Sequence, residues 1–595
     1  MFSDEHVAHA VACTAGAVAL VEAAMPPTGR GRPRLLSVSG LFAGLWLAAA
    51  EDPAATHLSK VTEILHHRIS PTWRDRFAVV ARADDAAGFE AASKVVARLF
   101  HAVLAVMDPS PLPKNTALAV EQANALRAQA DPADLARRRD LLVKVSNQIV
   151  EASLTPVRHL LDAHWDGSAG VDATPIATFA RGVRATGTHT STDPDAGWYV
   201  RQGDHTDPDT TPTTKTTSGK RKRKAAKFLF GYDLTLAVGH HPHRRATPPG
   251  HGDPTQPPAL AIGFILDRPG VDPAGNALRV LTDVRARGHK PGHLGADRAF
   301  NNSRPDHFQL PIRALGYQPC YDYPDDELGI QAGHLGALMI EGSWYCPAIP
   351  TALVQATATC RAATRAATDL PEATDRATAR HQAGTQWAAA ITARTAYQLA
   401  GKGHPDPEGH QRLTCPATAG KLACPFKPAS LGAPTHLPRV DPAPTPHGPP
   451  PLCAQHSITM APEHGARFAQ THPYGSQEWQ HFYFRLRNSS EGMHGFLKDD
   501  AAEALQRAGG RRVRGIAGQT LLAAFQLAHA NTRKITSWLD SLPQGEHDRP
   551  RRRVRRRPTR PLGSWTPAGH LKPAQADTVA AAPEAVAVAV AGPAP

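Results

Sequence analysis

The sequence predicts an α/β fold in which a mixed sheet is flanked by helices. Two observations predict it. From residue 166 onward the segments alternate in the order strand, strand, strand, helix, strand, helix, strand, and helical periodicity fills the regions on either side. The 595 residues are 41% hydrophobic, which suffices for a large core and several domains.

Residues 1–165 predict an N-terminal helical domain. Its Ala- and Leu-rich segments are separated by Pro-containing breaks and span 11–24, 35–50, 58–67, 89–107 and 132–150. None of them contains an obvious group of catalytic side chains. We expect this domain to bind a partner, to dimerise or to pack on the rest of the chain.

Residues 166–345 predict the sheet. Strand patterns at 171–179, 228–238 and 260–266 precede a helix at 274–287, a short strand ending just before Asp297, a helix at 304–315 and a strand at 317–323. Residues 191–227 are rich in Thr, Asp, Pro, Gly and Lys, which predicts a long, mobile, basic loop.

The rest of the chain alternates ordered and irregular composition. Residues 346–475 are helical and Ala-, Thr- and Arg-rich at first, and then rich in Pro, His and Cys and largely irregular. Residues 476–540 contain two helical patterns, at 477–498 and 515–538. Residues 541–595 predict a basic, disordered tail.

Composition and charge exclude some classes and favour another. The sequence has no run of about 18 or more apolar residues, so no membrane span is predicted. The start of the chain does not resemble a secretory signal. Seven cysteines, an odd number, are typical of a reducing cytosol. The net charge is +13, and residues 218–227 and 541–570 each contribute +6. Such local charge favours nucleic acid as a partner; a solvated linker without a specific partner is the alternative.

The predicted helix at 477–498 carries a stripe of functional side chains. At offsets of three, four and seven residues, they lie on one helix face: Phe484, Arg487, Glu491 and Lys498. A carboxylate between two cations suits a site for a metal ion and a phosphate. An ordinary surface ion-pair stripe is the alternative.

Two aspartates fall where a sheet places catalytic groups. Asp172 lies within the first predicted strand, where a charge is costly. Asp297 follows a short strand, where open α/β sheets place active-site residues. With Glu491 they could bind two divalent ions about 3.5–4 Å apart, as in two-metal phosphoryl transfer. Oxygen ligands favour Mg²⁺ or Mn²⁺ over zinc.

The three acidic residues lie in segments that resemble the motifs of DDE transposases of the bacterial insertion-sequence type. The similar segments are Val171-Asp-Ala-Thr174, Gly295-Ala-Asp-Arg-Ala-Phe300 and, for the Tyr-Arg-Glu-Lys signature, Phe484-x2-Arg487-x3-Glu491-x6-Lys498. The resemblance implies a ribonuclease-H-like catalytic core in two parts, residues 166–345 and 476–540, with an insertion at 346–475. It also implies that Asp172, Asp297 and Glu491 are catalytic and bind two Mg²⁺ or Mn²⁺ ions.

The implied reaction is cleavage of DNA at transposon ends and transfer of the 3′-hydroxyl into target DNA. The alternatives are a catalytically inactive DNA-binding protein and a nuclease on the same fold. The resemblance further implies a homodimer on DNA, a cytoplasmic, nucleoid-associated location, and DNA-end binding or dimerisation by residues 1–165. Phosphate contacts are expected from Arg487, Lys498, Arg511, Arg512 and Arg514, of which the last three could instead serve only solubility.

Three positions leave this assignment open in detail. Phe484 stands where the family usually has Tyr, with Tyr483 adjacent. Ala299 stands where Gly usually follows the second aspartate. Asp233 is the alternative to Asp172 as the first catalytic aspartate of the motif.

The insertion contains a candidate zinc site. Cys453-x2-His456 has the spacing of metal ligands, and Cys415 and Cys424 could complete a tetrahedral structural site. The usual pair of Cys-x2-Cys motifs is missing. The alternative is a set of ordinary thiols, as for Cys346 and Cys360.

Overall fold

The computed structural model describes residues 1–26, 34–184, 186–201, 227–241, 253–432, 434, 436–441 and 448–542. Most of the predicted basic loop (202–226) and nearly all of the predicted tail (543–595) lie outside the described residues. Within these residues the fold is mixed α/β, which confirms the predicted class.

The described residues up to 164 are mainly helical. The helices are α1 (Asp4–Ala24), α2 (Val38–Glu51), α3 (Leu58–Glu63), α4 (Pro71–Arg76), α5 (Ala86–Ala105), α6 (Val120–Gln129), α7 (Pro132–Ala152) and α8 (Arg158–His164). Leu41 and Ile149 share one hydrophobic cluster with Ile176 of the sheet and Leu522 near the C-terminus. The N-terminal helices therefore pack into the same core as the sheet.

A six-stranded sheet forms the centre of the molecule. Its strands are β1 (Ala169–Ala177), β2 (Gly197–Arg201), β3 (Lys227–Gly239), β4 (Leu260–Asp267), β5 (His293–Ala296) and β6 (Gln318–Tyr321). β1 pairs antiparallel with β3 and parallel with β5. β3 also pairs antiparallel with β4 and β2, and β5 pairs parallel with β6.

Strand β2 corrects the predicted loop. The loop prediction for 191–227 is wrong at 197–201, because these residues pair antiparallel with β3 from Gly197 opposite Gly231 to Arg201 opposite Lys227. The run Gly197-Trp-Tyr-Val200 has β-forming side chains. The polar composition on either side of it hid this strand.

Helices connect the parallel strands and cover the sheet. They are α9 (Pro273–Ala286), α10 (Arg298–Asn301), α11 (Gln309–Ala314), α16 (Gln477–Leu497) and α17 (Ile516–Leu539). α16 packs against β1 and β5, and α17 packs against α7 and β4. The Ser476 hydroxyl caps α16 by accepting a hydrogen bond from the Trp479 N–H (3.1 Å).

The segment between β6 and α16 has a core of its own. Its elements are β7 (Ile330–His334), β8 (Ala337–Ile340), β9 (Ser343–Tyr345), α12 (Thr351–Val354), α13 (Ala356–Ala366), α14 (Ala373–Arg394), β10 (Ala400–Gly401), β11 (Gln411–Thr414), α15 (Pro451–Ala454) and β12 (Ser457–Met460). The hydrophobic cluster begins at Ala337, before the predicted boundary at residue 346, and includes Leu399 and Ile458. The stretch predicted as irregular thus contains the β11–β12 pair.

One described helix, α1, is long and apolar enough to cross a membrane by length and composition, with a mean hydropathy of 1.6. The sequence-based expectation of no membrane span did not single it out. In the structure α1 packs against α2 and α7 and buries Val7, Ala10 and Val21. A helix of a protein core passes the same length and composition test.

Candidate functional site

Asp172 and Asp297 lie side by side on two parallel strands. Val171 of β1 pairs with Ala296 of β5, and each aspartate is the next residue along the chain. β5 ends there, and Asp297 caps the short helix α10 by accepting a hydrogen bond from the Arg298 N–H (2.8 Å). The structure thus brings together two aspartates that are far apart in the sequence.

Helix α16 carries Glu491 to the same place because two glycines let the helix approach the strands. A Cβ at Gly170 would lie 2.5 Å from the Leu486 carbonyl oxygen, and a Cβ at Gly295 would lie 2.7 Å from the Leu486 Cβ. Each glycine is two residues before an aspartate and therefore on the same strand face. We call Asp172, Asp297 and Glu491 the carboxylate site.

Arg487 connects two of the three carboxylates. Its Nε donates to Glu491 Oε1 at 3.0 Å, and its Nη1 donates to Asp297 Oδ1 at 3.1 Å and to the Tyr483 hydroxyl at 3.2 Å. Tyr483 is buried, whereas Phe484 is 48% exposed. The tyrosine hydroxyl that the motif lacks at position 484 is therefore present one residue earlier, where it contacts Arg487.

The pKa of Asp172 is strongly perturbed. Burial, reinforced by the negative charges of Asp297 and Glu491, raises its pKa to about 7. Burial makes the largest contribution to this shift, and the positive charge of Arg487 offsets it only in part. Additional positive charge would favour the ionised form of Asp172.

His494 is a residue of the site that sequence reasoning missed. Its Nδ1 lies 3.5 Å from Asp172 Oδ2. Burial, together with the charge of Lys498, lowers the pKa of His494 to about 3, so the imidazole is neutral at neutral pH. The sequence spacing could have identified it, because His494 follows Glu491 by three residues and therefore lies on the same helix face.

Lys498 lies at the end of α16 and contacts β1. Its Nζ donates to the Thr174 hydroxyl. Thr174 follows Asp172 by two residues and therefore lies on the same strand face. The contact places the ammonium group beside the carboxylate site.

The structure contradicts one predicted DNA contact. Arg511 is fully buried and donates to the Gln519 and Gln526 side chains and to the Ala177 and Leu505 carbonyl oxygens. Because the guanidinium donates its hydrogen bonds to groups inside the protein, it cannot contact a DNA phosphate. The prediction for Arg511 is wrong, and its role is structural.

Arg512 and Arg514 lie near the surface. Their guanidinium groups lie over the partly exposed Phe179 ring, 5.6 Å and 5.8 Å from its centroid. Arg514 also donates to the Asn115 side chain at 2.6 Å. Since Phe179 follows β1 closely, these two cations lie beyond the end of the strand that carries Asp172.

The rival aspartate is not part of the site. Asp233 on β3 pairs with Asp267 on β4. Burial raises the pKa of Asp233, and the neighbouring negative charge that adds to the shift is that of Asp267. The structure therefore favours Asp172 as the partner of Asp297.

The predicted zinc ligands separate into two environments. Cys415, Cys424 and Cys453 are buried. His456 is exposed. Cys415 and Cys424 belong to the hydrophobic core of the insertion, Cys453 is buried outside that cluster, and His456 lies at the surface.

The chemistry of the carboxylate site fits a hard divalent ion, because three carboxylates supply only oxygen ligands. Among the residues that the structure describes, no three His, Cys, Asp or Glu side chains form a ready-made metal site. Here Arg487 lies between Asp297 and Glu491 and supplies positive charge where a cation would. Three carboxylates with cations on one helix can support phosphoryl transfer. No family model, curated protein or solved structure matches the chain.

Proposed function

We propose that the protein is a DNA transposase of the DDE type, which cuts DNA at transposon ends and joins the freed 3′-hydroxyl to target DNA. The observation that carries the proposal is the placement of Asp172 and Asp297 at adjacent strands, with Glu491 on helix α16, which packs against both strands. The strand order supports it. β1, β3 and β4 are antiparallel, and β5 and β6 lie parallel on the other side of β1, an order that resembles a ribonuclease-H-like sheet.

Asp172, Asp297 and Glu491 would hold the divalent ions. When bound, a pair of Mg²⁺ or Mn²⁺ ions would activate the attacking water or 3′-hydroxyl and stabilise the leaving oxygen. Asp172, with its pKa of about 7, must give up a proton before it can bind a cation. The buried, neutral His494 beside it restricts where that carboxylate can point.

Arg487 and Lys498 are proposed to bind the DNA phosphate. Arg487 now donates to Asp297 and Glu491. Once a metal cation neutralises these two carboxylates, the guanidinium could bind a phosphate instead. Arg512 and Arg514 would add backbone contacts that depend on salt and not on base sequence. Pairing two transposon ends on one target would require two copies of the chain.

The test is cleavage of DNA that carries the repeats flanking the gene, with Mg²⁺ and a labelled end. Wild type is compared with Glu491→Gln and with Glu478→Gln. Glu478 lies in the first turn of the same helix and is exposed, so it controls for the substitution itself. We expect Glu491→Gln to lower the rate by roughly 10³-fold or more and Glu478→Gln to leave it unchanged.

Four results would decide between this proposal and its alternatives. Cleavage with joined product in wild type and Glu478→Gln alone supports a transposase. Cleavage without joining identifies a nuclease. DNA binding without cleavage in all three proteins identifies a non-catalytic DNA-binding protein. Equal cleavage by wild type and Glu491→Gln overturns the assignment of Glu491.

A further inference from the structure

Four buried cysteines lie in the insertion. They are 4% to 7% exposed and none forms a disulfide: Cys346, Cys415, Cys424 and Cys453. We call them the cysteine cluster. Cys360, on α13, is only half-buried and does not belong to it.

Backbone contacts bring the segments of Cys415 and Cys453 together. The Cys415 N–H donates to the His456 carbonyl oxygen at 3.1 Å, directly after the β11–β12 pair in which Thr414 lies opposite Ser457. Cys453 lies three residues before His456. The two cysteines therefore flank one end of this strand pair.

The other two cysteines reach the same end through separate contacts. The Cys346 N–H donates to the Tyr397 carbonyl oxygen at 2.9 Å, in the chain that leads into β10 beside β11. In the turn after Cys424, the Lys427 Nζ donates to the Gln455 carbonyl oxygen at 2.7 Å. Gln455 lies between Cys453 and His456, so this bond ties the Cys424 turn to the Cys453 segment.

Negative charge on one thiol of the cluster would affect the others, although no three of them form a metal site as they stand in the described residues. Burial raises the pKa of the Cys346 thiol to about 12, and negative charge on any of Cys415, Cys453 and Cys424 would raise it further. Burial likewise raises the pKa of Cys453 to about 11, again with contributions from Cys415 and Cys424. Each thiol thus lies within range of the others, although the four segments are distant in sequence.

Several groups around the cluster would stabilise thiolates. The main-chain N–H of Ala348 favours negative charge on Cys346, and the main-chain N–H groups of Phe426 and Lys427 favour it on Cys424. The buried Lys427 ammonium also favours negative charge on Cys424 and Cys453. These N–H groups and this cation offset the negative charge that four thiolates would carry.

We propose that Cys346, Cys415, Cys424 and Cys453 bind one structural Zn²⁺ ion. The ion would join the residues that follow β9 and β11 to the segments of Cys424 and Cys453. Each Zn–S bond replaces an S–H bond, and the proton leaves to solvent. The side chains must close from their present spacing to Zn–S distances of about 2.3 Å. The proposal replaces the exposed His456 of the sequence-predicted ligand set with the buried Cys346, and it does not depend on the proposed transposase activity.

The test is zinc content of the full chain, purified under reducing conditions without chelator. We expect about one zinc ion per chain in wild type. Cys346→Ser is expected to lose it, whereas His456→Ala and Cys360→Ser retain it. Co²⁺ substitution adds a readout that does not need a stable variant, because sulfur-to-cobalt charge-transfer absorption grows with the number of thiolate ligands.

The outcomes separate clearly. Zinc in wild type and His456→Ala, with the charge-transfer absorption of four thiolates, supports the proposal. Absence of zinc and cobalt binding in wild type overturns it. Loss of zinc in His456→Ala with retention in Cys346→Ser also overturns it and restores the ligand set that includes His456.

Discussion

The carboxylate site and the cysteine cluster place potential metal ligands in opposite environments. The Asp297 and Glu491 side chains are 40% and 53% exposed, whereas each of the four cysteines is at most 7% exposed. Arg487 lies among the carboxylates, and Lys427 lies beside the thiols. As the proposed metal sites, the carboxylate site would exchange ligands with water and substrate, whereas the cysteine cluster would be closed to them.

The largest expected effect is the loss of cleavage in Asp172→Asn, and it distinguishes the carboxylate site from the cysteine cluster. It removes one carboxylate from a set of three, so cleavage should fall by roughly 10³-fold or more. Zinc content should not change. The measurement is the initial rate of cleavage together with metal analysis of the same preparation. The matched control is Asp233→Asn, on the neighbouring strand, and a loss of cleavage confined to that control would reverse the choice of aspartate.

Replacement of a cysteine of the cysteine cluster should instead lower the stability of the protein. Cys424→Ser is expected to lose the zinc-linked stabilisation of several kcal/mol, seen as a thermal midpoint lower by roughly 5 °C or more for the transition that involves the insertion. Cys360→Ser makes the same change at the half-buried thiol and should leave the midpoint unchanged. Equal midpoints for the two variants would argue against a metal at the cluster.

The carboxylate site also depends on close packing between α16 and the strands. Gly295→Ala introduces a Cβ that would meet the Leu486 Cβ at 2.7 Å, so the helix must shift. We expect a destabilisation of roughly 1–3 kcal/mol and a marked loss of cleavage. Urea unfolding and the cleavage rate measure the two effects.

The control for this substitution is Gly492→Ala, on α16 itself. No atom lies within 4 Å of the added Cβ. Alanine is the better helix former, so this variant should be more stable than wild type by up to about 1 kcal/mol. If both variants were equally active, close approach at Gly295 would not be needed for the site.

The smallest effect is the pH dependence that Asp172 confers on stability. Its pKa is raised from 3.8 to about 7, so the folded state binds the proton more tightly than the unfolded state does. Its contribution is therefore favourable at low pH and is lost as pH rises toward 7. Asp172→Asn should match wild type near pH 4 and exceed it by roughly 1–2 kcal/mol near pH 8.

Urea unfolding of both proteins at the two pH values, without added divalent ion, measures this difference. Added Mg²⁺ should reduce it in favour of wild type, because only the carboxylate binds the cation. A difference between the proteins that does not vary with pH would show that Asp172 is not the group with the raised pKa.

Local sequence patterns predicted most of the elements of the central sheet, although they missed β2. They also singled out the three acids as candidates: Asp172 by a charge within a strand, Asp297 by a strand end, and Glu491 by a helical stripe. The helices predicted at 477–498 and 515–538 are observed at Gln477–Leu497 and Ile516–Leu539. Each of these signals is contained in a short window, because strand and helix periods repeat within a few residues.

Only the tertiary structure decided which side chains lie inside and which distant residues meet. Arg511 and Arg512 are adjacent and chemically identical, yet one is fully buried and the other exposed. The segments of Cys346 and Cys415 are connected through the bond of the Cys346 N–H to Tyr397 and the pairing of β10 with β11. Burial and ligand grouping depend on contacts between residues far apart in the chain, and a local period carries no information about them.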